Sequence, residues 1–338
     1  MYIGFSEAET FLRNCEDAVI ITHRNPDGDC IGAGFGLKDI LAQIGIRSRV
    51  VCSDEFPKRY AFMTSAGAGE DFEPKTIIAV DIADVKLMGD YEKIYGDKVQ
   101  LCIDHHISNK NYAEKTLLHG DATAACEIIY DLAKFMGIRM TKHCAMCLYT
   151  GIATDSGCFK YDCTTPRAHE IAAEMMRSYD INFSRINRYM FDVKSRGRLM
   201  LESKITDLME EKLDGKLVIV AVTQAMMKEM GVSMEELEGF APLTIQLEDT
   251  EVGILMRERE DGVFKCSFRS AYDVNVSEIC QNLGGGGHAK AAGCTVENQQ
   301  ANTESQETNK ARTGSAGDYK RLRGRGASSM DSAMPPGQ

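Results

Sequence analysis

Three short apolar runs in the first third of the chain each end on an acid or a histidine. Ala18 to Thr22 runs into His23, Thr76 to Val80 into Asp81, and Val99 to Ile103 into Asp104. Compact Val- and Ile-rich runs without polar alternation mark strands covered on both faces, which belong to parallel sheets flanked by helices. Arg47 to Cys52 reads as a further strand, and Pro57 to Met63 as a short helix. Helical periodicity follows at Ile31 to Ile44, Ala124 to Met136 and Lys142 to Ala153. Thr165-Pro166 opens another helix to about Ser178, with Thr as N-cap and Pro at the first position. The alternation predicts an α/β fold whose ligands bind at the carboxyl ends of the strands. His23, Asp27, Asp29, Asp81, Asp104 and His105 all fall just beyond such an end.

A chain of 338 residues exceeds one ordinary core, so two domains are expected. The first covers residues 1–190. A charged helical stretch, 191–214, reads as a connector, with Lys194 to Glu211 its best part. The second domain spans 215–296 and is smaller, α/β, with a mixed sheet. In it Leu217 to Val222 is a strand, Gln224 to Met230 a helix, and Val252 to Glu258 pairs with Val263 to Arg269 across Asp261-Gly262, a hairpin signal. Val276 to Leu283 is a helix leading into Gly284 to Gly287 and His288. From 297 to 338 the chain is polar, Leu322 being the one Leu, Ile, Val or Phe, and such a segment is expected to be disordered.

The formal charge of −11 argues against a broad grip on long duplex nucleic acid, which needs a basic surface. No apolar run approaches the ~20 residues of a membrane span. The N-terminus shows no secretion signal, and twelve scattered cysteines suit reduced thiols, so a cytoplasmic protein is expected. These totals leave a homodimer open.

The chemistry is carried by His23-Arg24-Asn25-Pro26-Asp27-Gly28-Asp29 together with Asp104-His105-His106. Asn-Pro and Asp-Gly place the first on a strand-to-helix turn. Any one of these acids alone would read as a helix cap or turn residue. Four acid or histidine clusters on one sheet edge read instead as a metal centre. The ligand set His23, Asp27, Asp29, Asp81, His105 and Asp155 joins carboxylates to imidazoles without a thiolate, which suits Mn²⁺ or Mg²⁺ over Zn²⁺ and Mn²⁺ best. Six donors exceed what one catalytic ion takes, so two divalent ions are expected, with Asp81 as the natural bridge. Gly284 reads as a helix cap, whereas Gly285, Gly286 and Gly287 let backbone amides approach an anion ahead of His288. Cys144 and Cys147 have redox spacing but lie in an apolar helical pattern and read as packing. His119, His143 and His169 match no motif and read as surface or satisfied histidines.

HRNPDGD at 23–29, AVDIAD at 79–84, DHH at 104–106 and TDSGCF at 154–159 resemble the four motifs of the DHH phosphoesterase family. SFRS at 267–270 and GGGGHAKAAG at 284–293 resemble the DHH-associated C-terminal domain. The pairing is most similar to the bacterial nano-RNase and pAp-phosphatase branch. The resemblance implies a cleft between the two domains and a pair of Mn²⁺ ions, with Mg²⁺ or Co²⁺ as substitutes. It implies hydrolysis of short RNA oligonucleotides and of the 3′-phosphate of adenosine 3′,5′-bisphosphate. It places His23, Asp27 and Asp155 on one ion, Asp29 and His105 on the other, and Asp81 between them. Asp104 would orient the ligand imidazole, and His106 would serve the scissile phosphate as donor or general acid. Arg269, Ser270, Asn275 and His288 would hold the substrate's phosphate or base. The sequence beyond about Val296 departs from the family's pattern. A phosphodiesterase for cyclic or linear dinucleotides is the near rival, ahead of a family II-type pyrophosphatase, which lacks the GGGGH loop. A nucleotide-binding module without catalysis is the rival from another class.

Overall fold

In the computed structural model, residues 1–233, 235–237 and 239–296 are described. The polar tail at 297–338 lies outside them. The chain divides into one compact unit over Met1–Val193 and a second beginning at Lys194.

The first unit runs α1 (Phe5–Asn14), β1 (Ala18–Ile21), α2 (Gly28–Gln43), β2 (Ser48–Val51), α3 (Ala61–Thr64), β3 (Thr76–Val80), α4 (Glu92–Tyr95), β4 (Leu101–Asp104), β5 (Lys115–Leu118), α5 (Ala125–Phe135), α6 (Lys142–Asp155), α7 (Pro166–Tyr179) and α8 (Phe183–Asn187). Its five strands form a wholly parallel sheet in the order β2-β1-β3-β4-β5. The runs read as doubly covered strands are buried throughout, and alternate residues feed opposite layers. Ile20, Ile78, Val80 and Ile103 pack under the helices α2, α5 and α6, while Val19, Ile21, Ile77 and Cys102 pack on the other face with Met88 and Val99. The register aligns Ile20 with Ile78 and Val80 with Ile103, so β1, β3 and β4 deliver their following residues to one edge.

Helices α2 and α6 lie against each other at unusually close range, running in opposite directions. A β-carbon on Gly28 would fall 2.2 Å from Thr154, one on Gly32 2.5 Å from the Cys147 carbonyl, and the Cys144 thiol reaches the Gly36 carbonyl. This contact sets the N-terminus of α2 beside the C-terminus of α6, where Asp155 sits.

The second unit runs α9 (Arg196–Asp207), β6 (Glu210–Lys212), β7 (Leu217–Val222), α10 (Gln224–Met230), β8 (Val252–Glu258), β9 (Phe264–Ser270), α11 (Val276–Asn282), β10 (Gly286–His288) and β11 (Ala291–Val296). Its six-stranded sheet has the order β10-β11-β9-β8-β7-β6 and is mixed, since only β7 and β8 pair in parallel. The hairpin predicted across Asp261-Gly262 forms, with Gly262 in the left-handed region. The sequence expected to act as a connector forms α9, which buries Leu201 and Ile205 among Val220, Val222 and Leu255. A helix with an apolar stripe that matches a neighbouring strand is retained by the core rather than left as a linker. No described helix is long and apolar enough to cross a membrane.

Candidate metal centre

The centre is built around Asp81, the residue that follows β3. Its backbone turns into the left-handed region at φ 58, and its amide donates to the Ile103 carbonyl at 2.9 Å, which ties it to the end of β4. Its side chain is 3% exposed, and Oδ1 has no hydrogen-bond partner among the described residues. Three imidazoles surround it. His23 Nε2 is 3.5 Å from Oδ2, His105 Nε2 is 3.5 Å from Oδ1, and His106 Nδ1 is 3.4 Å from Oδ1. The approaches of His105 and His106 are close but not aligned as hydrogen bonds, so a buried carboxylate oxygen is left for another partner. A cation is the partner such an oxygen fits.

His23 and His105 are held in the same way. The His23 Nδ1–H faces the Arg24 carbonyl at 2.8 Å, and the His105 Nδ1–H faces the Ala122 carbonyl at 3.3 Å. Those contacts fix the tautomer that turns the Nε2 lone pair toward the acids, as metal-bound histidines require. Burial pulls the His23 imidazolium down, but Cys30, Asp27 and Asp81 push its pKa well above the usual value. A proton on His23 and a divalent cation are thus alternative ways to neutralise the same negative charge.

Asp27 and Asp29 each do two jobs. Asp27 caps α2, its Oδ1 accepting from the amides of Asp29 and Cys30 at 3.1 Å, and the same oxygen lies 3.6 Å from His23 Nε2. Burial raises the Asp27 pKa, but His23 and the two amides outweigh it and bring it to about 2. Asp29 is buried and accepts from Ala125 N at 2.7 Å and Cys126 N at 3.0 Å, the first amides of α5. Burial and then the Asp81 charge push Asp29 upward, as burial and the neighbouring acids do for Asp155.

The side chains gather into three groups whose donor atoms lie within 4.8 Å of one another: His23, Asp27, Cys30 and Asp81; Asp81, His105 and His106; and Asp29, His105 and Asp155. His23 and Asp27 thus gather with Asp81, and Asp29 gathers with His105 and Asp155. The resemblance sets Asp155 with His23 and Asp27. Asp155 Oδ2 is 3.4 Å from His105 Nε2, so it stands with Asp29 and His105 rather than with His23 and Asp27. The reason is that Asp155 ends α6, whose contact with α2 brings it to Asp29. Asp104 also differs from expectation. It holds His106, through Nδ1–H to Oδ1 at 2.8 Å, while the Ala122 carbonyl orients His105. Asp104 Oδ1 further accepts the amides of His105 and His106, and Oδ2 accepts from Asn109 at 2.6 Å. Burial pulls His106 down, but the Asp104 hydrogen bond and the Asp81 charge raise it to about 9, a value at which the ring carries its proton near neutral pH. Cys30 was absent from the expected set. Its position three residues past the cap was the available signal, since the first turn of a capped helix faces what its cap faces.

In the second unit, Arg269 and Ser270 end β9, and Ser270 Oγ is buried without a hydrogen-bond partner among the described residues. Asn275 is committed as the N-cap of α11, accepting from Ser277 N at 3.1 Å and donating to Glu278 at 2.8 Å, which explains it without a ligand. Gly284, at φ +75, closes α11, and the next glycines form a strand rather than a loop, Gly286 to His288 pairing with Ala291 to Gly293. A β-carbon at Gly285 would meet the Gly293 carbonyl at 2.1 Å, so that residue is required by close backbone approach.

Cys144 and Cys147 are buried in α6 and belong to no metal-competent group among the described residues. His143 is satisfied by Asp39 Oδ2 at 3.0 Å and the Met63 carbonyl at 2.8 Å. His119 stacks on Phe5 and His169 on Phe159, each at 5.0 Å between ring centres.

The family model of the DHH family N-terminal domain matches residues 17–152, and that of the DHHA1 domain matches residues 214–312. The Thermus thermophilus bifunctional oligoribonuclease and PAP phosphatase NrnA is 30% identical over 287 residues, 82% of this chain and 83% of that protein. An exopolyphosphatase-related protein from Bacteroides fragilis has the same fold at a TM-score of 0.80 and 23% identity, over 86% of this chain and 90% of that one. RecJ from Thermus thermophilus, crystallised in complex with Mn²⁺, aligns at a TM-score of 0.51 and 12% identity, over 87% of this chain and 52% of that one.

Proposed function

The chain belongs to the DHH family, and from that premise we propose that it is a metal-dependent phosphoesterase acting on short RNA oligonucleotides and on the 3′-phosphate of adenosine 3′,5′-bisphosphate. The substrate classes follow the Thermus thermophilus relative, whose name carries both activities. The observation that carries the reading is the orphaned Oδ1 of Asp81, whose carboxylate meets three imidazoles in a cluster with three further carboxylates, Asp27, Asp29 and Asp155.

His23, Asp27 and Asp81 would hold one divalent cation, and Asp29, His105 and Asp155 a second, with Asp81 shared. Oxygen and imidazole donors favour Mn²⁺, with Mg²⁺ and Co²⁺ as substitutes. Such a pair supplies a water ionised near neutral pH and neutralises charge on the attacking and leaving oxygens. His106, held at Nδ1 by Asp104, would present a proton to a phosphoryl or leaving oxygen. Recognition of a terminal phosphate is assigned to Arg269 and Ser270 of the second unit, the guanidinium by its planar fork and the hydroxyl as an unspent donor. Gly285 to Gly287 and His288 are assigned to the remaining phosphate or base contacts. Twelve unpaired thiols fit a cytoplasmic location.

The test is a side-by-side assay with Mn²⁺ on adenosine 3′,5′-bisphosphate, a diribonucleotide, a cyclic dinucleotide and pyrophosphate. Turnover of the first two, lost in Asp81→Ala, is expected. Turnover confined to the cyclic dinucleotide or to pyrophosphate would replace the substrate class. Nucleotide binding without turnover of any of them would make the protein a binding module.

A further inference from the structure

Cys30 places a thiol where the rest of the centre offers only oxygen and nitrogen. The residue is fully buried, and its sulfur lies with the donor atoms of His23, Asp27 and Asp81 inside a 4.8 Å group. Two contacts hold it there. The Cys30 amide donates to the capping oxygen of Asp27 at 3.1 Å, and the thiol lies 3.7 Å from the Asp27 carbonyl, a long contact for a sulfur donor. Other buried thiols of the first unit are differently placed. Cys144 points at the Gly36 carbonyl, and Cys147 lies 3.9 Å from the Met63 carbonyl and 3.7 Å from His143 Nε2, and neither belongs to a metal-competent group among the described residues. The second observation is independent of the cysteine. Asp81, 97% buried by its 3% exposure, turns Oδ2 to within 3.5 Å of His23 Nε2 in the same group, and its other oxygen, Oδ1, has no hydrogen-bond partner among the described residues.

We propose that Cys30 is a donor to the cation held by His23, Asp27 and Asp81, and that it sets the metal preference of that position. The proposal rests on the metal centre described under the proposed function. One imidazole, one thiolate and two carboxylates make four donors, the number and kind that a tetrahedral, borderline-soft cation takes. The group of Asp29, His105 and Asp155 includes no sulfur donor, the Cys126 thiol being turned to the Asp29 backbone carbonyl at 3.4 Å, and it keeps its preference for harder ions. The two positions of one centre therefore differ in softness: Zn²⁺, Co²⁺ or Cd²⁺ at the first, Mn²⁺ or Mg²⁺ at the second. On coordination the sulfur–metal bond forms as the thiol proton passes to solvent, and nothing is oxidised.

Titration of the full-length, metal-stripped protein with Co²⁺ and with Cd²⁺ tests this, read by sulfur-to-metal charge-transfer absorption and by equilibrium dialysis. A charge-transfer band is expected in the wild type, absent from Cys30→Ser and Cys30→Ala and retained in Cys126→Ser. In Cys30→Ser the Cd²⁺ dissociation constant of one site should rise about tenfold or more, while that for Mn²⁺ stays within about threefold. Far-ultraviolet circular dichroism of both Cys30 variants verifies that they fold. Binding of Co²⁺ that Asp81→Asn removes, but without a sulfur band, overturns the role of Cys30 and leaves the metal centre standing. A band that survives in Cys30→Ser also overturns it. Failure of every divalent cation to bind overturns the centre and this proposal together.

Discussion

Asp29 caps a helix that begins 96 residues later, its Oδ2 accepting the amide of Ala125 at 2.7 Å. The carboxylate also takes the Cys126 amide at 3.0 Å, so the N-terminus of α5 is closed by the first turn of α2. One residue thereby joins two helices and also faces His105 Nε2 at 3.8 Å, in the group proposed to hold a cation. Stability and chemistry compete for the same two oxygens.

Comparing Asp29→Asn with Asp155→Asn separates those roles. Asp155 caps no helix among the described residues, so its neutralisation only relieves repulsion among the acids, and metal-free Asp155→Asn should be more stable than wild type. Asp29→Asn gains similar relief but offers one oxygen to two amides, a loss of roughly 1–2 kcal/mol. Urea unfolding in EDTA should therefore rank Asp29→Asn below Asp155→Asn by about that amount. Equal stabilities would show that the capping bonds are weak. Mn²⁺ should raise the Tm of the wild type, and both variants should lose that rise.

Gly32→Ala should cost roughly 1–3 kcal/mol, since its β-carbon would meet the Cys147 backbone carbonyl at 2.5 Å and neither helix can yield without moving the other. Gly36→Ala meets the far end of the Leu148 side chain at the same distance and should cost less. The Mn²⁺ affinity of Gly32→Ala should fall as well, because the displaced helices carry Asp29 and Asp155. Tm and isothermal titration calorimetry read the two effects. An unchanged Mn²⁺ affinity alongside lowered Tm would uncouple the helix contact from the metal positions.

His143 supplies a pH-dependent term away from the centre. Its ring faces two acceptors, Asp39 Oδ2 and the Met63 carbonyl, and the Asp39 hydrogen bond raises its pKa despite burial. A raised histidine stabilises the fold in full below its unfolded value of about 6.5, and that stabilisation is lost as pH rises through the folded value. Burial raises Asp39, but His143 and Thr141 lower it further, so its share is present above about 3.9 and is lost in acid. His143→Gln should destabilise by roughly 1–3 kcal/mol at pH 5.5, and the gap should narrow by pH 9. A gap that is constant across this range would contradict a charged ring.

Asp104→Asn tests His106 as a proton donor. With the carboxylate gone, the His106 pKa falls, and the alkaline limb of the kcat/KM profile should move to lower pH, with kcat reduced about 10²-fold or more. Arg269→Ala should instead raise KM with kcat little changed, as expected for uniform phosphate binding. An unshifted alkaline limb would remove His106 from proton transfer.

Much of this was legible in the residues. A doubly covered strand announces itself as an unbroken apolar run, as Thr76–Val80 does, and Leu217–Val222, buried at alternate residues only, also forms over the predicted residues. The acids at the carboxyl edge followed from those strands. Lys115–Leu118 and Glu210–Lys212 were invisible, being an edge strand of four residues and one of three with an exposed, charged sequence, where pairing partners rather than local pattern decide. The grouping of Asp155 with Asp29 needed the depth of the α2–α6 contact, which the glycine spacing allows but does not fix. Asn275 looked like a ligand because a cap and a ligand share the same short polar side chain. Cys30 was passed over because a cysteine beside apolar neighbours usually packs.

Strands β6 and β10 bound the six-stranded sheet, and both are poor templates. β6 presents Glu210, Glu211 and Lys212, all exposed. β10 is three residues long, and Gly287 at φ 144 interrupts its extended course. A long flat edge invites an incoming strand from another molecule and, repeated, a fibril. Here one side repels by charge and the other offers too short a row of amides to dock a strand. The sheet thus ends on both sides in strands of three residues, so neither edge carries a row of amides and carbonyls long enough to recruit a second copy of the chain.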